Sequence, residues 1–157
     1  MKRFTVVTIC LGNICRSPLM QALLERAWRE HASSERLELV VVSAGLNPML
    51  DYPTQEAVLT GRELGVDIGA HTSRQVDQAM AARADLFLTA TAAMKASLLT
   101  RFPDRAPGRT FSMGEFAGEH ADIEDPYGRT LARYRDVAAR IERYARAAAV
   151  RIAKEND

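Results

Sequence analysis

Phe4-Thr5-Val6-Val7-Thr8-Ile9 runs without a break into Cys10-Leu11-Gly12-Asn13-Ile14-Cys15-Arg16-Ser17-Pro18. The first six residues are apolar or β-branched, the pattern of a buried strand. Gly12 and Asn13 interrupt that pattern. Pro18 then stands where the first turn of a helix tolerates it. Leu19, Leu23, Leu24, Ala27 and Trp28 follow at helical spacing. The segment therefore reads as strand, tight loop and helix start.

The same alternation continues along the chain. Leu37 to Val42 reads as a second strand, ending at Ser43-Ala44-Gly45. After the loop from Pro48 to Pro53, Thr54 caps a helix that runs to about Leu64, and Gly65 stops it. Gln75–Arg83 reads as a short helix, Asp85–Thr89 as a third strand and Ala92–Arg101 as a helix. Thr110–Met113 reads as a short fourth strand inside a loop-rich stretch from 102 to 128. From Thr130 to about Lys154 there is neither Gly nor Pro. Leu131, Tyr134, Val137, Ile141, Tyr144, Ala148 and Ile152 share one face of a long helix there. Strands alternating with helices predict a parallel sheet covered on both faces. The expected fold is α/β and flavodoxin-like: three layers around a four-stranded parallel sheet. Ligands in such sheets gather at the carboxyl ends of the strands.

The chain has 157 residues, 47% hydrophobic and 26% charged, which fits one domain over 1–157 with an ordinary globular core. Lys plus Arg is 21 and Asp plus Glu is 20. A net charge of +1 gives no dominant attraction to nucleic acid or to an anionic membrane. No apolar run is long enough to span a bilayer, and the start of the chain lacks the pattern of a secretion signal. Two cysteines frame neither a disulfide scaffold nor a zinc site. The expectation is a cytoplasmic monomer or weak dimer without cofactor.

The chemistry points to the first loop. Backbone N–H groups wrapped between a strand and a helix N-terminus turn toward the loop centre and favour an anion. Gly12 is expected to supply a backbone conformation that a Cβ would hinder. Arg16 offers a planar fork for two phosphate oxygens. A thiol at Cys10 facing this positive character is favoured as thiolate, a nucleophile beneath a bound phosphorus. Alone, Cys10 reads as a small buried hydrophobe and Arg16 as a solvated charge. Together, five residues apart in the strand–turn–helix context, they read as a site.

In these residues the chain resembles the low-molecular-weight protein tyrosine phosphatases, whose loop reads Cys-x-Gly-Asn-x-Cys-Arg-Ser-Pro. The resemblance continues through Ser43-Ala44-Gly45, His71-Thr72-Ser73-Arg74-Gln75, Ala84-Asp85-Leu86 and Asp125-Pro126-Tyr127-Gly128. It implies that Cys10 is the nucleophile, Arg16 the clamp on the phosphate oxygens and Asp125 the general acid and then base. Asp122 and Glu124 are nearby rivals, but only Asp125 precedes Pro. The resemblance further implies that Asn13, Ser17, Ser43 and His71 support the loop. It also implies that Cys15 forms a reversible disulfide with Cys10. Substrate contacts are expected from residues 11–17, namely Leu11, Gly12, Asn13, Ile14, Cys15, Arg16 and Ser17, and from Met49 and Tyr127. No metal site is expected, since His31, His71 and His120 lack ligand spacing.

Met49 stands where the family often has an aromatic residue, with Leu50 and Tyr52 beside it, and Gly128 replaces a second aromatic. Protein arginine phosphatases, close relatives of the family, resemble this chain but carry Thr where Ile14 stands. The reading therefore favours a phosphorylated tyrosine in a protein substrate, with phosphoarginine as the alternative. Arsenate reductases share the fold but use further cysteines in the middle of the chain, where this sequence has none. A phosphate-binding module without catalysis would need neither Cys10 nor Asp125.

Overall fold

The computed structural model describes every residue from Met1 to Asp157. Strands β1 (Lys2–Cys10), β2 (Leu37–Gly45), β3 (Leu86–Thr89) and β4 (Thr110–Ser112) form one sheet in the order β2-β1-β3-β4. Every pairing is parallel. The order reverses on either side of β1, so the carboxyl end of β1 lies at a topological switch point, where such sheets open a crevice for ligands.

Alternation along the strands sorts side chains into two apolar layers. Val6, Val41, Leu86 and Leu88 pack with α1 (Arg16–Ala27) and with the last helix of the chain, Leu131–Glu155. Val7, Ile9, Ala44 and Phe87 form the second layer on the opposite face. That face is covered by two helices, Gln78–Arg83 and Ala92–Arg101. With α2 (Gln55–Glu63) and a single turn at Met113–Phe116, the helices in chain order are α1, α2, α3 (Gln78–Arg83), α4 (Ala92–Arg101), α5 (Met113–Phe116) and α6 (Leu131–Glu155). This is the flavodoxin-like α/β arrangement expected from the sequence.

Among the boundaries that differ from expectation, β2 runs on through Ser43-Ala44-Gly45, and three others have local causes. The short helix begins at Gln78 rather than Gln75, because Gln75 bridges Gly45 and Asp77 accepts from the Met80 N–H as an N-cap. Trp28 does not close α1 as a regular α turn; it opens a wider π turn over Trp28–Ala32. Met113 ends no strand and instead starts α5, with the Ser112 hydroxyl capping Glu115 N–H.

The helix starts reveal a contrast. Thr54, Asp77, Thr91, Ser112 and Thr130 each cap their helix with a side-chain oxygen. Only α1 begins without a side-chain cap, at Cys15. Its first N–H groups are thus left for something other than its own chain.

Ile141 is fully buried where α6 packs on the sheet layer. Ile141→Ala should destabilise the fold by about 2–5 kcal/mol through lost burial and the resulting cavity. Thermal unfolding should show this as a drop of about 2–4 °C per kcal/mol, with the transition remaining cooperative.

Candidate active site

The loop from Cys10 to Arg16 is held from outside by its carbonyls. Cys10 O accepts from Leu46 N–H at 3.0 Å and Leu11 O from Asn47 N–H at 2.9 Å. Asn13 O accepts from His71 Nε2–H at 2.9 Å, and Ile14 O from Thr54 N–H at 3.2 Å. With carbonyls drawn outward, the peptide N–H groups turn inward. Those of Leu11, Gly12, Ile14 and Cys15 donate to no protein acceptor, and they stand beside the uncapped start of α1. This is the geometry of an anion nest.

The special backbone conformation belongs to Asn13, and not, as expected from the residue types, to Gly12. Asn13 has φ +57° and is the residue that turns the loop. Asn tolerates this left-handed region better than most side chains, so glycine is not required there. A Cβ on Gly12 would meet only Ile14 Cγ1 at 3.6 Å, an ordinary contact. The glycine that the loop needs is Gly45 at the end of β2. A Cβ there would sit 2.7 Å from Leu11 O and 3.1 Å from Asn13 Cβ.

Cys10 lies at the end of β1, nearly buried. Its Sγ accepts from Asn13 N–H at 3.2 Å and lies 3.0 Å from Ser17 Oγ. Ser17 Oγ itself accepts from Asn13 Nδ2 at 2.7 Å. That leaves the Ser17 proton free to point at sulfur, the nearer of its two acceptors, since Ala44 O is 3.4 Å away. Two donors aimed at one sulfur stabilise negative charge on it. Asn13 Nδ2 also donates to Ser43 Oγ at 3.1 Å, and Asn13 Oδ1 accepts from Arg74 N–H at 3.0 Å. Asn13, Ser17, Ser43 and His71 are thus brought into one network behind the loop.

Arg16 is 5% exposed, and its Nη1 donates to Ile123 O at 3.0 Å. Its Nη2 lies 3.7 Å from Asp125 Oδ2. Asp125 is held in turn by accepting from Tyr127 N–H at 3.1 Å. The two rival carboxylates are turned elsewhere. Asp122 accepts from Ala92 N–H at the start of α4, and Glu124 pairs with Arg133.

These parts enclose a cleft of about 400 Å³, lined by Cys10, Leu11, Gly12, Ile14, Cys15 and Arg16 on the loop side. Met49, Leu50, Asp125 and Tyr127 form its walls, with Asn47 beside them. Tyr52 is exposed and lies outside the lining. Asn47 and the carbonyl of Ile123 were not foreseen, since nothing in their residue types marks them. Cys15 is buried, with its Sγ 3.4 Å from Thr54 Oγ1 and 3.5 Å from Tyr134 Oη. Burial pushes the Cys15 thiol up from its ordinary range, against the lowering effect of those two hydroxyls. Both cysteines are free thiols. No group of His, Cys, Asp or Glu is arranged to hold a metal ion.

Residues 5–157 match the family model described as low molecular weight phosphotyrosine protein phosphatase. The chain belongs to this family. The phosphatase is 36% identical over 140 residues to a probable low molecular weight protein-tyrosine-phosphatase, EpsP of Ralstonia solanacearum, covering 88% of this chain and 89% of that one. The YwlE arginine phosphatase of Geobacillus stearothermophilus superposes with a TM-score of 0.85 at 28% identity, over 98% of this chain and 95% of its own. Wzb of Vibrio vulnificus in complex with benzylphosphonate superposes with a TM-score of 0.83 at 25% identity, over 94% and 98%. No helix of the phosphatase is long and apolar enough to cross a membrane.

Two measurements probe the architecture of the phosphatase site. Gly45→Ala should press on Leu11 O and displace the loop. Phosphate affinity, read by calorimetry, should then fall more steeply than thermal stability. Burial lowers the pKa of His71 below the ordinary 6.5, outweighing the Asn13 carbonyl that raises it. The folded protein therefore binds fewer protons than the unfolded chain in the window just below pH 6.5. The stability linked to His71 is complete above that pH and is lost as pH falls through the window. Denaturant unfolding of His71→Gln at pH 7 and pH 5 should show a smaller change than wild type.

Proposed function

We propose that this phosphatase hydrolyses phosphotyrosine in proteins through a phosphocysteine intermediate, with all of residues 1–157 acting as one catalytic domain. The observation that carries the reading is the inward set of N–H groups above Cys10 Sγ, flanked by Arg16 and Asp125. A phosphoryl group seated there has its equatorial oxygens among the loop amides and the Arg16 fork, which gather the charge that develops in the transition state. Ile123 O fixes one edge of that fork, leaving the other edge toward the cleft.

In the first step Cys10 thiolate attacks phosphorus, and the bond from phosphorus to the tyrosyl oxygen breaks. Asp125 gives its proton to that oxygen, because an unprotonated phenolate leaves poorly. In the second step Asp125 takes a proton from water, the water oxygen attacks phosphorus, and the sulfur–phosphorus bond breaks. The thiolate that departs receives the Ser17 hydroxyl and Asn13 N–H, so the same two donors serve both steps. The chemistry calls for no metal ion.

Apolar walls from Ile14, Met49, Leu50 and Tyr127 suit an aromatic ring leading to the phosphate. The second reading, phosphoarginine, is favoured by the likeness to YwlE. It requires the cleft to take a guanidinium, and the hydrocarbon side chain of Ile14 offers that group no hydrogen-bond acceptor.

Cys10→Ser should abolish turnover and keep oxyanion binding; normal turnover would refute the assignment. Asp125→Ala should slow hydrolysis of phenyl phosphate by about 100-fold or more, and that of p-nitrophenyl phosphate much less. Equal losses would move the acid to another residue. Matched phosphotyrosine and phosphoarginine peptides should favour tyrosine, and Ile14→Thr should narrow the gap. Equal or faster wild-type release from phosphoarginine would overturn the choice of substrate.

A further inference from the structure

The sheet is incompletely covered on the face that carries α3 and α4. Register places Thr5 beside Val40 and Val7 beside Val42, all on this face. α3 has only six residues, too few to reach across both β1 and β2. Val40, Val42 and Met80 therefore remain half-buried on the floor of a second cleft of about 450 Å³. Its rim carries three guanidinium groups, on Arg3, Arg74 and Arg83. Arg74 and Arg83 are exposed and have no ion-pair partner, while Arg3 pairs with Glu38 across the strands. The acid on the rim, Asp85, has one carboxylate oxygen occupied by Thr5 N–H at 2.8 Å.

We propose that this cleft is a second binding site, separate from the catalytic one, for a small amphipathic anion. Such a ligand lays an aliphatic or aromatic body along Val40, Val42 and Met80 and sets a carboxylate between Arg74 and Arg83. The two unpaired cations at the rim supply an anionic head with a charge-assisted partner on each side. The apolar floor supplies the body's burial, and the volume lies in the range of small-molecule pockets. A free inorganic anion satisfies only the rim, and a neutral hydrocarbon only the floor. Arg74 joins this cleft to the catalytic loop, because its backbone N–H is the group that holds Asn13 Oδ1. Occupancy of the second cleft is therefore felt at Asn13.

Methyl and amide NMR titration of the full chain tests this, with orthovanadate present in saturating amount to fill the catalytic loop. The probes are decanoate and naphthalene-2-carboxylate, with acetate as the head alone and 2-naphthylmethanol as the body alone. Both amphipathic anions, or one of them, should shift the Val40, Val42 and Met80 methyls and the Asn13 side-chain amide. The stronger of the two tells whether the natural body is aliphatic or aromatic. Acetate and the alcohol should shift these signals far less. Arg83→Gln should weaken the anion about tenfold, the loss of one charged hydrogen bond. It should leave kcat/KM on p-nitrophenyl phosphate unchanged. The proposal is overturned by shifts confined to Leu11, Met49 and Leu50, by equal binding to Arg83→Gln, by equal binding of the uncharged alcohol, or by no shifts at millimolar probe.

Discussion

Asn13 is fully buried, and all its polar groups are engaged in holding one loop in shape. Its N–H donates to the Cys10 sulfur, its carbonyl accepts from His71, and its side-chain oxygen accepts from the Arg74 backbone. Its side-chain nitrogen reaches both Ser17 and Ser43. A buried polar residue with this many partners is stable only while each partner stays in place. The consequence is cooperative geometry: strand β1, the end of β2, the 71–74 segment and the start of α1 take their relative positions from a single residue, through its main chain and side chain together. The positive φ of Asn13 is maintained by the same contacts, as expected for strain kept at a functional loop.

The rest of the site depends on what that loop leaves unsatisfied. Five helices close their own N-termini with a side chain, and α1 does not. Carbonyls of the preceding loop are tied outward to residues 46, 47, 54 and 71. The free donors and the Arg16 charge are thereby concentrated in one small volume at the switch point of the sheet. Arg16 is buried, with the Ile123 carbonyl as its closer contact and the Asp125 carboxylate 3.7 Å from its other terminal nitrogen.

Much of this was legible from residue order. β-branched runs set the strands, Thr54 and Thr130 announced their helices, and Cys10 with Arg16 stood out because the two residues meet in one loop context. Asp125 was separable from Asp122 and Glu124 by the following Pro, and the structure turns those two away to Ala92 and Arg133. What remained hidden was carried by backbone atoms or by long-range packing. The Ile123 carbonyl has no signature in the identity of its side chain. Glycine is the residue type that usually supplies unusual dihedrals, yet here Asn13 rather than Gly12 takes that role, held by its hydrogen bonds. Gly45 matters through the approach of Leu11 O, a contact fixed only when β2 and the loop pack together. α3 starts later than local propensity predicts because Gln75 is recruited to bridge Gly45, a tertiary event that propensity does not encode.

Cys10 and Asp125 lie near opposite ends of the polypeptide, and between them runs most of the sheet. During synthesis the sulfur emerges long before Asp125, and the Ile123 carbonyl that steadies Arg16 arrives only just ahead of that carboxylate. A nascent chain that has paired β1 with β2 still lacks Thr54, His71 and Arg74, whose contacts shape the amide cradle, as well as Asp125. Both halves of the site are therefore completed late, and the whole arrangement waits on docking of the C-terminal third.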